Sequence, residues 1–370
     1  MSRNHTYAGR MTRIGAVHAV LPPYRYEQYE ITEALARLTP SPAGQERRGP
    51  SRVPGPDVLA RMHAASGVRT RHLALPLESY ARLTGFGEAN DRFIEQAQVL
   101  GGEAVGGALE AAGIAPDEVD LVISTSVTGV AAPSVEARLA GRLGLRPDVK
   151  RLPLFGLGCA GGAAGLARLH DYLDARPRAV AVLLSVELCS LTLQRDDTSA
   201  ANAVAGSLFG DGAAAVVAVG REREAAGPEV VAARSRLYPD TEGLLGWDIG
   251  AGGFRIVLGG ELPRLVRRHV GPEIEDFLAG HGLKPRDVTG WVCHPGGPRV
   301  LEAVREALDL PARALEASWR SLAEVGNLSS ASVLHILHDV LSGERPLSGS
   351  PGLVMAMGPG FCSETVLLRW

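Results

Sequence analysis

At 370 residues, 45% hydrophobic and 21% charged, the chain has apolar material for a large core, and its length predicts about two domain-sized units. The formal net charge of -3 gives no general attraction for nucleic acid or anionic lipid. No apolar run approaches the ~18–20 residues needed to span a bilayer, so no membrane insertion is expected.

Residues 1–24 scatter Arg and His around a short apolar patch at 14–21 and lack both a signal-peptide core and an Ala-x-Ala site. The stretch 45–56, rich in Arg, Gly and Pro, reads as a loop. Apolar runs and helix-period segments then alternate, the pattern of an α/β protein. In chain order the spacing predicts a helix over 94–112, a strand over 121–126 and a helix over 135–143. An apolar run at 152–157 leads into a helix over 160–173. Strands follow over 180–186 and 213–219. The polar stretch 221–228 divides the chain into a half spanning 1–225 and a half spanning 226–370. Beyond it come a helix over 262–278, a strand over 289–293, helices over 300–307 and 330–341, and strands over 353–357 and 364–368. Both halves carry βαβ-like material with glycine-punctuated strands, Gly210-Asp211-Gly212 in one and Gly358-Pro359-Gly360 in the other, which hints at a duplication.

Cys159, Cys189, Cys293 and Cys362 are far apart and form neither a CxxC pair nor a metal-ligand spacing. A disulfide framework and a metal site are therefore not expected, and a reducing cytoplasm is. Only Lys150 and Lys284 are lysines, so a phosphate-bearing ligand must be held mainly by Arg and backbone N–H groups.

Gly158-Cys159-Ala160 places a cysteine between small residues at the start of a predicted helix. Glycine permits a sharp turn and close approach of a reagent, and the helix start favours thiolate. A cysteine in an Ala/Gly segment is more commonly a small core residue, so this motif alone does not make a nucleophile. Three later segments bear on it. His294 ends a predicted strand before Pro295-Gly296-Gly297, where a histidine is ordinarily a hydrogen-bonded strand-end residue. Asn327 stands before a predicted helix, where asparagine ordinarily caps. The loop Gly358-Pro359-Gly360 by itself simply joins two strands.

Together these elements suit one reaction. Cys159 accepts an acyl group, and His294 pairs with it to stabilise thiolate. His294 and Asn327 donate to a thioester carbonyl, stabilising the enolate formed when a malonyl unit loses CO2. The loop 358–360 brings a backbone N–H beside the Cys159 amide as a second oxyanion hole.

The motifs Gly158-Cys159-Ala160-Gly161, Phe209-Gly210-Asp211-Gly212-Ala213, His294-Pro295-Gly296-Gly297, Gly326-Asn327-Leu328-Ser329-Ser330-Ala331 and Gly358-Pro359-Gly360, in this order, resemble those of the type III polyketide synthases, the chalcone-synthase-like enzymes of the thiolase superfamily. The resemblance runs from about residue 56 to the end. It implies a thiolase-like five-layer αβαβα fold, with two similar halves that each hold a mixed sheet. It also implies a cytoplasmic homodimer that loads an acyl-CoA starter, extends it with malonyl-CoA and cyclises an alkylpyrone- or alkylresorcinol-like product, with no cofactor beyond the coenzyme A thioesters themselves. By the same resemblance Cys159, His294 and Asn327 are the catalytic residues and Phe209 and Phe254 gatekeepers. Thr192 and Ser329 line the pocket, Glu187 steers cyclisation, and Arg61 contacts coenzyme A phosphates. Two lysines of the family pattern are replaced by Val58 and Ala65, which leaves Arg69 or Arg71 as alternative phosphate ligands. Ala131 and Ala132 stand before Pro133 where plant members carry a methionine that reaches into the partner's cavity, so a larger cavity and a longer aliphatic starter are expected.

A β-ketoacyl-carrier-protein synthase III-like enzyme performing one condensation, or an acyltransferase on the same fold, would share these three residues. A papain-like thiol protease shares the Cys, His, Asn order and a Cys-to-His spacing within ~130–150 residues. Its cysteine flanks and disulfides are not matched here. A non-catalytic scaffold would not need all three chemical groups.

Overall fold

The computed structural model describes residues 12–38 and 56–370. Most of the predicted loop over 45–56 lies outside them; Pro56 itself opens the helix Pro56–Ala64. Among the described residues thirteen strands occur in chain order: β1 (Arg13–Val20), β2 (Tyr24–Glu27), β3 (Thr70–Leu73), β4 (Leu121–Thr125), β5 (Lys150–Leu154), β6 (Val180–Leu188), β7 (Asp211–Val219), β8 (Glu229–Leu237), β9 (Leu245–Gly250), β10 (Gly253–Leu258), β11 (Gly290–Cys293), β12 (Pro351–Gly358) and β13 (Cys362–Arg369). Nine of them form one mixed sheet in the order β11-β12-β13-β8-β1-β7-β6-β4-β5.

That order contains a repeat. In the first half β4 runs parallel to β6, while β6 is antiparallel to β7 and β7 to β1. In the second half β11 runs parallel to β12, while β12 is antiparallel to β13 and β13 to β8. The halves meet where β1 touches β8. The Ile14 N–H donates to Pro228 O at 3.0 Å, the Val230 N–H to Thr12 O at 2.9 Å, and Arg13 pairs with Glu229.

Alternation along the strands builds the layers, because successive side chains point to opposite faces. On β7, Ala213, Ala215, Val217 and Val219 pack outward against the long helix Phe86–Ala112, whose Leu100, Ala104, Val105 and Leu109 belong to the same cluster. Ala214, Val216 and Ala218 turn inward to the helices Gly161–Asp174 and Ser332–Ser342, where Val292, Val354 and Val366 arrive from the second half. The opposite faces of β11 and β12, with Trp291, Leu353 and Met355, are covered by the helices Gly271–Ala279, Pro298–Ala307 and Glu316–Val325. Helix, first half of the sheet, helix pair, second half of the sheet, helix is the thiolase-like α/β architecture.

The single helix expected over 262–278 is interrupted: Leu262–Leu265 passes through a π turn at Val266–Val270 into Gly271–Ala279. Pro272 lacks the N–H that a continuous helix would use there, which accounts for the break. The apolar patch at 14–21 falls almost wholly in strand β1, whose Ile14, Val17 and Val20 are buried.

Candidate active site

Cys159 lies in a single 3-10 turn, Gly158–Ala160, that runs directly into the helix Gly161–Asp174. Gly158 has φ +50°, and a Cβ there would sit 2.4 Å from the Pro359 ring. A Cβ on Gly358 would meet Leu157 O at 2.4 Å, and one on Gly162 would meet Ser330 O at 2.2 Å. Glycine is therefore required on both sides of the contact that seats the turn against the loop 358–360 and the segment following Asn327. That loop shapes the site more than it supplies donors. Pro359 has no N–H, and the Gly360 N–H is engaged by Leu245 O at 3.2 Å, so the expected second oxyanion donor is not available from either.

The Cys159 residue is half-buried and its thiol donates to Ser329 Oγ at 3.7 Å. Burial of the sulfur pushes the thiol up to about 12. Hydrogen bonding to Ser329 works against the shift, the Glu187 carboxylate adds to it, and hydrogen bonding to Asn327 again opposes it. The thiolate that a helix start would favour is thus outweighed by desolvation in the ligand-free chain. Nor does His294 form the expected pair with the sulfur. Its Nδ1 and Nε2 are buried without a hydrogen-bond partner, and burial pushes the imidazole down to about 3. The ring is a neutral group with one unengaged N–H.

Asn327 is held by its backbone and by its own amide. Its N–H donates to Leu208 O at 2.8 Å and its carbonyl accepts from the Gly210 N–H at 3.0 Å. Its side-chain Oδ1 accepts the Ser329 N–H at 2.8 Å, an Asx-type turn rather than the expected helix cap, since Leu328 precedes the turn Ser329–Ala331 and Ala331 the helix Ser332–Ser342. With Oδ1 occupied, Nδ2 is the group left to donate outward. His294 is tied to the same frame through Gly297, whose Cα environment lies against Leu208, and through its N–H to Met355 O at 2.9 Å.

Glu187 is fully buried between β6 and two loops. It accepts from the Val127 N–H at 3.1 Å, the Thr128 hydroxyl at 2.9 Å, the Ser126 hydroxyl at 3.2 Å and the Ser330 hydroxyl. Burial raises its carboxyl while these donors hold it down. It lines neither the sulfur pocket nor the chamber beside it, and it fixes the wall from behind.

A pocket opens on the sulfur, walled by Ser329, Phe209, Trp247, Ile256 and Pro359. Phe209 stands at its wall. Phe254 does not; it packs edge-on to Phe86 at 5.4 Å and lines, with Thr192, an adjoining chamber. Ala132 is exposed and Ala131 lines a separate cleft with Val130 and Phe155. Arg61 is exposed on the helix Pro56–Ala64, and Arg69 is exposed and pairs with Glu324 at 3.5 Å. Arg71 is excluded as a phosphate ligand at the surface: it is 3% exposed and donates to Gly206 O and Phe209 O, each at 2.8 Å. Among the described residues no group of three or more His, Cys, Asp or Glu is placed to hold a metal ion.

Sequence reasoning missed Trp247 and Ile256, which come from the hairpin β9–β10. The available signal was Gly250-Ala251-Gly252-Gly253, a glycine-rich tight turn between apolar segments. Cys189, read only as an unpaired thiol, also lines the sulfur pocket.

A doubled sheet whose shared helix layer begins at a cysteine is the architecture of the thiolase-like condensing enzymes, and the chain is of that class. Residues 10–222 match the N-terminal domain, and residues 229–370 the C-terminal domain, of the chalcone and stilbene synthases. The chain belongs to that family, the type III polyketide synthases, and is a malonyl-CoA-dependent condensing enzyme. It is 58% identical over 373 residues to a 1,3,6,8-tetrahydroxynaphthalene synthase of Streptomyces peucetius, covering 100% of this chain and 96% of that protein. It is 30% identical to an alpha-pyrone synthesis polyketide synthase-like protein of Mycobacterium tuberculosis over 97% of each chain. The crystal structure of the 1,3,6,8-tetrahydroxynaphthalene synthase of Streptomyces coelicolor superposes with a TM-score of 0.89 at 30% identity, covering 97% of this chain and 99% of that one. Among the described residues no helix is long and apolar enough to cross a membrane.

Proposed function

We propose that the chain condenses malonyl units on Cys159 and closes them into a polyhydroxylated naphthalene. The observation that carries this reading is the 58% identity, along the whole chain, to a tetrahydroxynaphthalene synthase. A ten-carbon ring system with oxygens at alternate positions corresponds to five two-carbon units, so malonyl-CoA alone would supply starter and extender.

In this reading the Cys159 sulfur attacks the acyl-CoA thioester, the new C–S bond forms, and coenzyme A leaves as a thiol with the cysteine proton. A second malonyl thioester places its carbonyl oxygen against the neutral His294 N–H and Asn327 Nδ2. Both are fixed before substrate arrives, so they meet the enolate charge created by loss of CO2 without reorganising. The enolate carbon then attacks the Cys159 thioester, and transfer back to the sulfur starts another round. Decarboxylation generates the carbanion, so neither a general base at carbon nor a metal or redox cofactor is required. Arg61, exposed on its helix, is the proposed contact for coenzyme A phosphate.

A second reading, an alkylpyrone or alkylresorcinol built on a longer acyl starter, is supported by the alpha-pyrone relative and by the largely apolar chamber next to the sulfur pocket. Incubation with malonyl-CoA alone, followed by mass spectrometry, tests between them. A ten-carbon tetrahydroxy aromatic is expected; products that appear only when a second acyl-CoA is added would replace the first reading with the second. A single β-ketoacyl product on carrier protein would remove both.

We also propose a homodimer in the cytoplasm. The side chains of Val130, Leu152 and Phe155 are 43%, 40% and 51% exposed around the sheet-edge strand β5, an apolar face suited to a second copy. Light scattering at twice the 38.9 kDa chain mass is the expected result.

A further inference from the structure

The chamber adjoining the sulfur pocket contains a charge that the chemistry above does not use. The two spaces share Cys189, Phe209, Trp247 and Ile256 as a common wall. On the chamber side lies Arg71, 3% exposed. Its Nε donates to Gln28 Oε1 at 3.1 Å and its Nη1 to the carbonyls of Gly206 and Phe209. Its Nη2 is buried with no partner among the described residues.

Four other polar residues lining the chamber have protein partners. Tyr80 and Ser190 hydroxyls lie 2.5 Å apart, and Ser190 also donates to Asp211. Thr192 donates to Cys189 O at 2.8 Å, and Asn202 Nδ2 donates to Gln194 O and Asp197 O. Asp211, the nearby buried carboxylate, accepts from the Ala74 and Ser190 N–H groups and acts on Arg71 as a charge at a distance. Burial pushes the guanidinium down only to about 10, so it is charged at neutral pH. Buried donors are almost always satisfied, and a charged one left open in an apolar chamber points to an anionic oxygen as its partner.

Resting on the polyketide synthase reading, we propose that Arg71 Nη2 binds the carboxylate at the far end of a dicarboxylic acyl group carried on Cys159, so that the enzyme selects a carboxylated starter. The phosphates of coenzyme A are at the other end of the substrate. On this proposal the acyl end lies in the chamber, which shares a wall with the sulfur pocket, and Phe209, one residue of that wall, has its own carbonyl held by Arg71. One guanidinium nitrogen remains open, so the contact is to a single oxygen, made strong by charge on both sides.

The test is single-turnover acylation of the full-length enzyme, read by intact mass, with three four-carbon thioesters: succinyl-CoA, butyryl-CoA and acetoacetyl-CoA. Succinyl-CoA is expected to load Cys159 at least about tenfold faster than the other two. Arg71→Gln should erase that preference, so that succinyl and butyryl load at equal rates in the variant, and Arg71→Lys should restore some of it. Equal wild-type rates for succinyl and butyryl would overturn the proposal. Acetoacetyl matching succinyl would also overturn it, because the group would then read a keto oxygen. Equal loss of all three thioesters in Arg71→Gln assigns the residue to packing alone and counts against it too. Where Arg71→Gln fails to fold, the wild-type panel decides. Loading by malonyl-CoA but by none of the three would also overturn the proposal, and absence of loading by malonyl-CoA as well would instead bring down the polyketide synthase reading.

Discussion

Cys159 is under two opposed influences, a helix start that favours the anion and a buried surrounding that penalises it. With the thiol pushed up to about 12 and His294 down to about 3, the ligand-free pair is neutral on both sides at physiological pH. Alkylation by iodoacetamide should therefore climb about tenfold per pH unit from pH 6 to 9, with no plateau near neutrality, because thiolate is the reactive form. A plateau below pH 7, followed by mass spectrometry of the Cys159 adduct, would show that a thiolate–imidazolium pair exists after all. Asn327 offers a cleaner separation of roles. Asn327→Ala should slow malonyl-CoA decarboxylation by about 10²–10³ while starter loading changes by less than about tenfold, since Nδ2 serves the enolate and not the first acylation. Equal losses would reduce Asn327 to the Asx turn it makes with Ser329. These residues were legible in the sequence because each is a chemical group set in glycine-rich flanks. Their protonation was not, because it depends on burial contributed by segments as distant as Trp247 and Pro359.

At the scale of elements, the predicted strands over 121–126, 180–186 and 213–219 all fall on sheet strands, since continuous apolar runs can only be buried on both faces. β8 escaped because Arg234, Ser235 and Arg236 cut short its apolar run, β9 because its second half carries Asp248 and is exposed, and β10 because Arg255 interrupts it. The turn that carries the nucleophile is legible only as a glycine pattern, and its reason is tertiary. Gly158→Ala must both hold φ +50° and displace the Pro359 ring, while Gly358→Ala must displace the Leu157 carbonyl. Each should destabilise by about 2–4 kcal/mol in urea unfolding, above the ~1 kcal/mol that glycine-to-alanine strain alone would give. Gly113→Ala is the control, because it shares a left-handed φ of +65° with nothing nearby for a Cβ to strike. If the three cost the same, the packing of the loop 358–360 on the turn contributes nothing.

At the scale of the whole molecule, each half contributes strands to a central core that the two share. The helix Gly161–Asp174 comes from the first half and Ser332–Ser342 from the second, yet they pack in one cluster with inner-face residues of both. The polar stretch at 221–228 suggested a division into halves, but no pattern in the sequence says that two amphipathic helices far apart in the chain will share a layer. The consequence is measurable because all four tryptophans, Trp247, Trp291, Trp319 and Trp370, lie in the second half. Leu109, 3% exposed, packs in the outer layer of the first half, in a cluster made entirely of first-half residues. Leu109→Ala should cost about 2–5 kcal/mol. If the central layer couples the halves, the tryptophan fluorescence midpoint in denaturant should fall together with the far-ultraviolet circular dichroism midpoint, although no tryptophan lies near the substitution. A fluorescence transition that stays at its wild-type midpoint while the dichroism curve splits would mean that the second half keeps its own stability, and that the shared helix layer is a contact surface between two independent units.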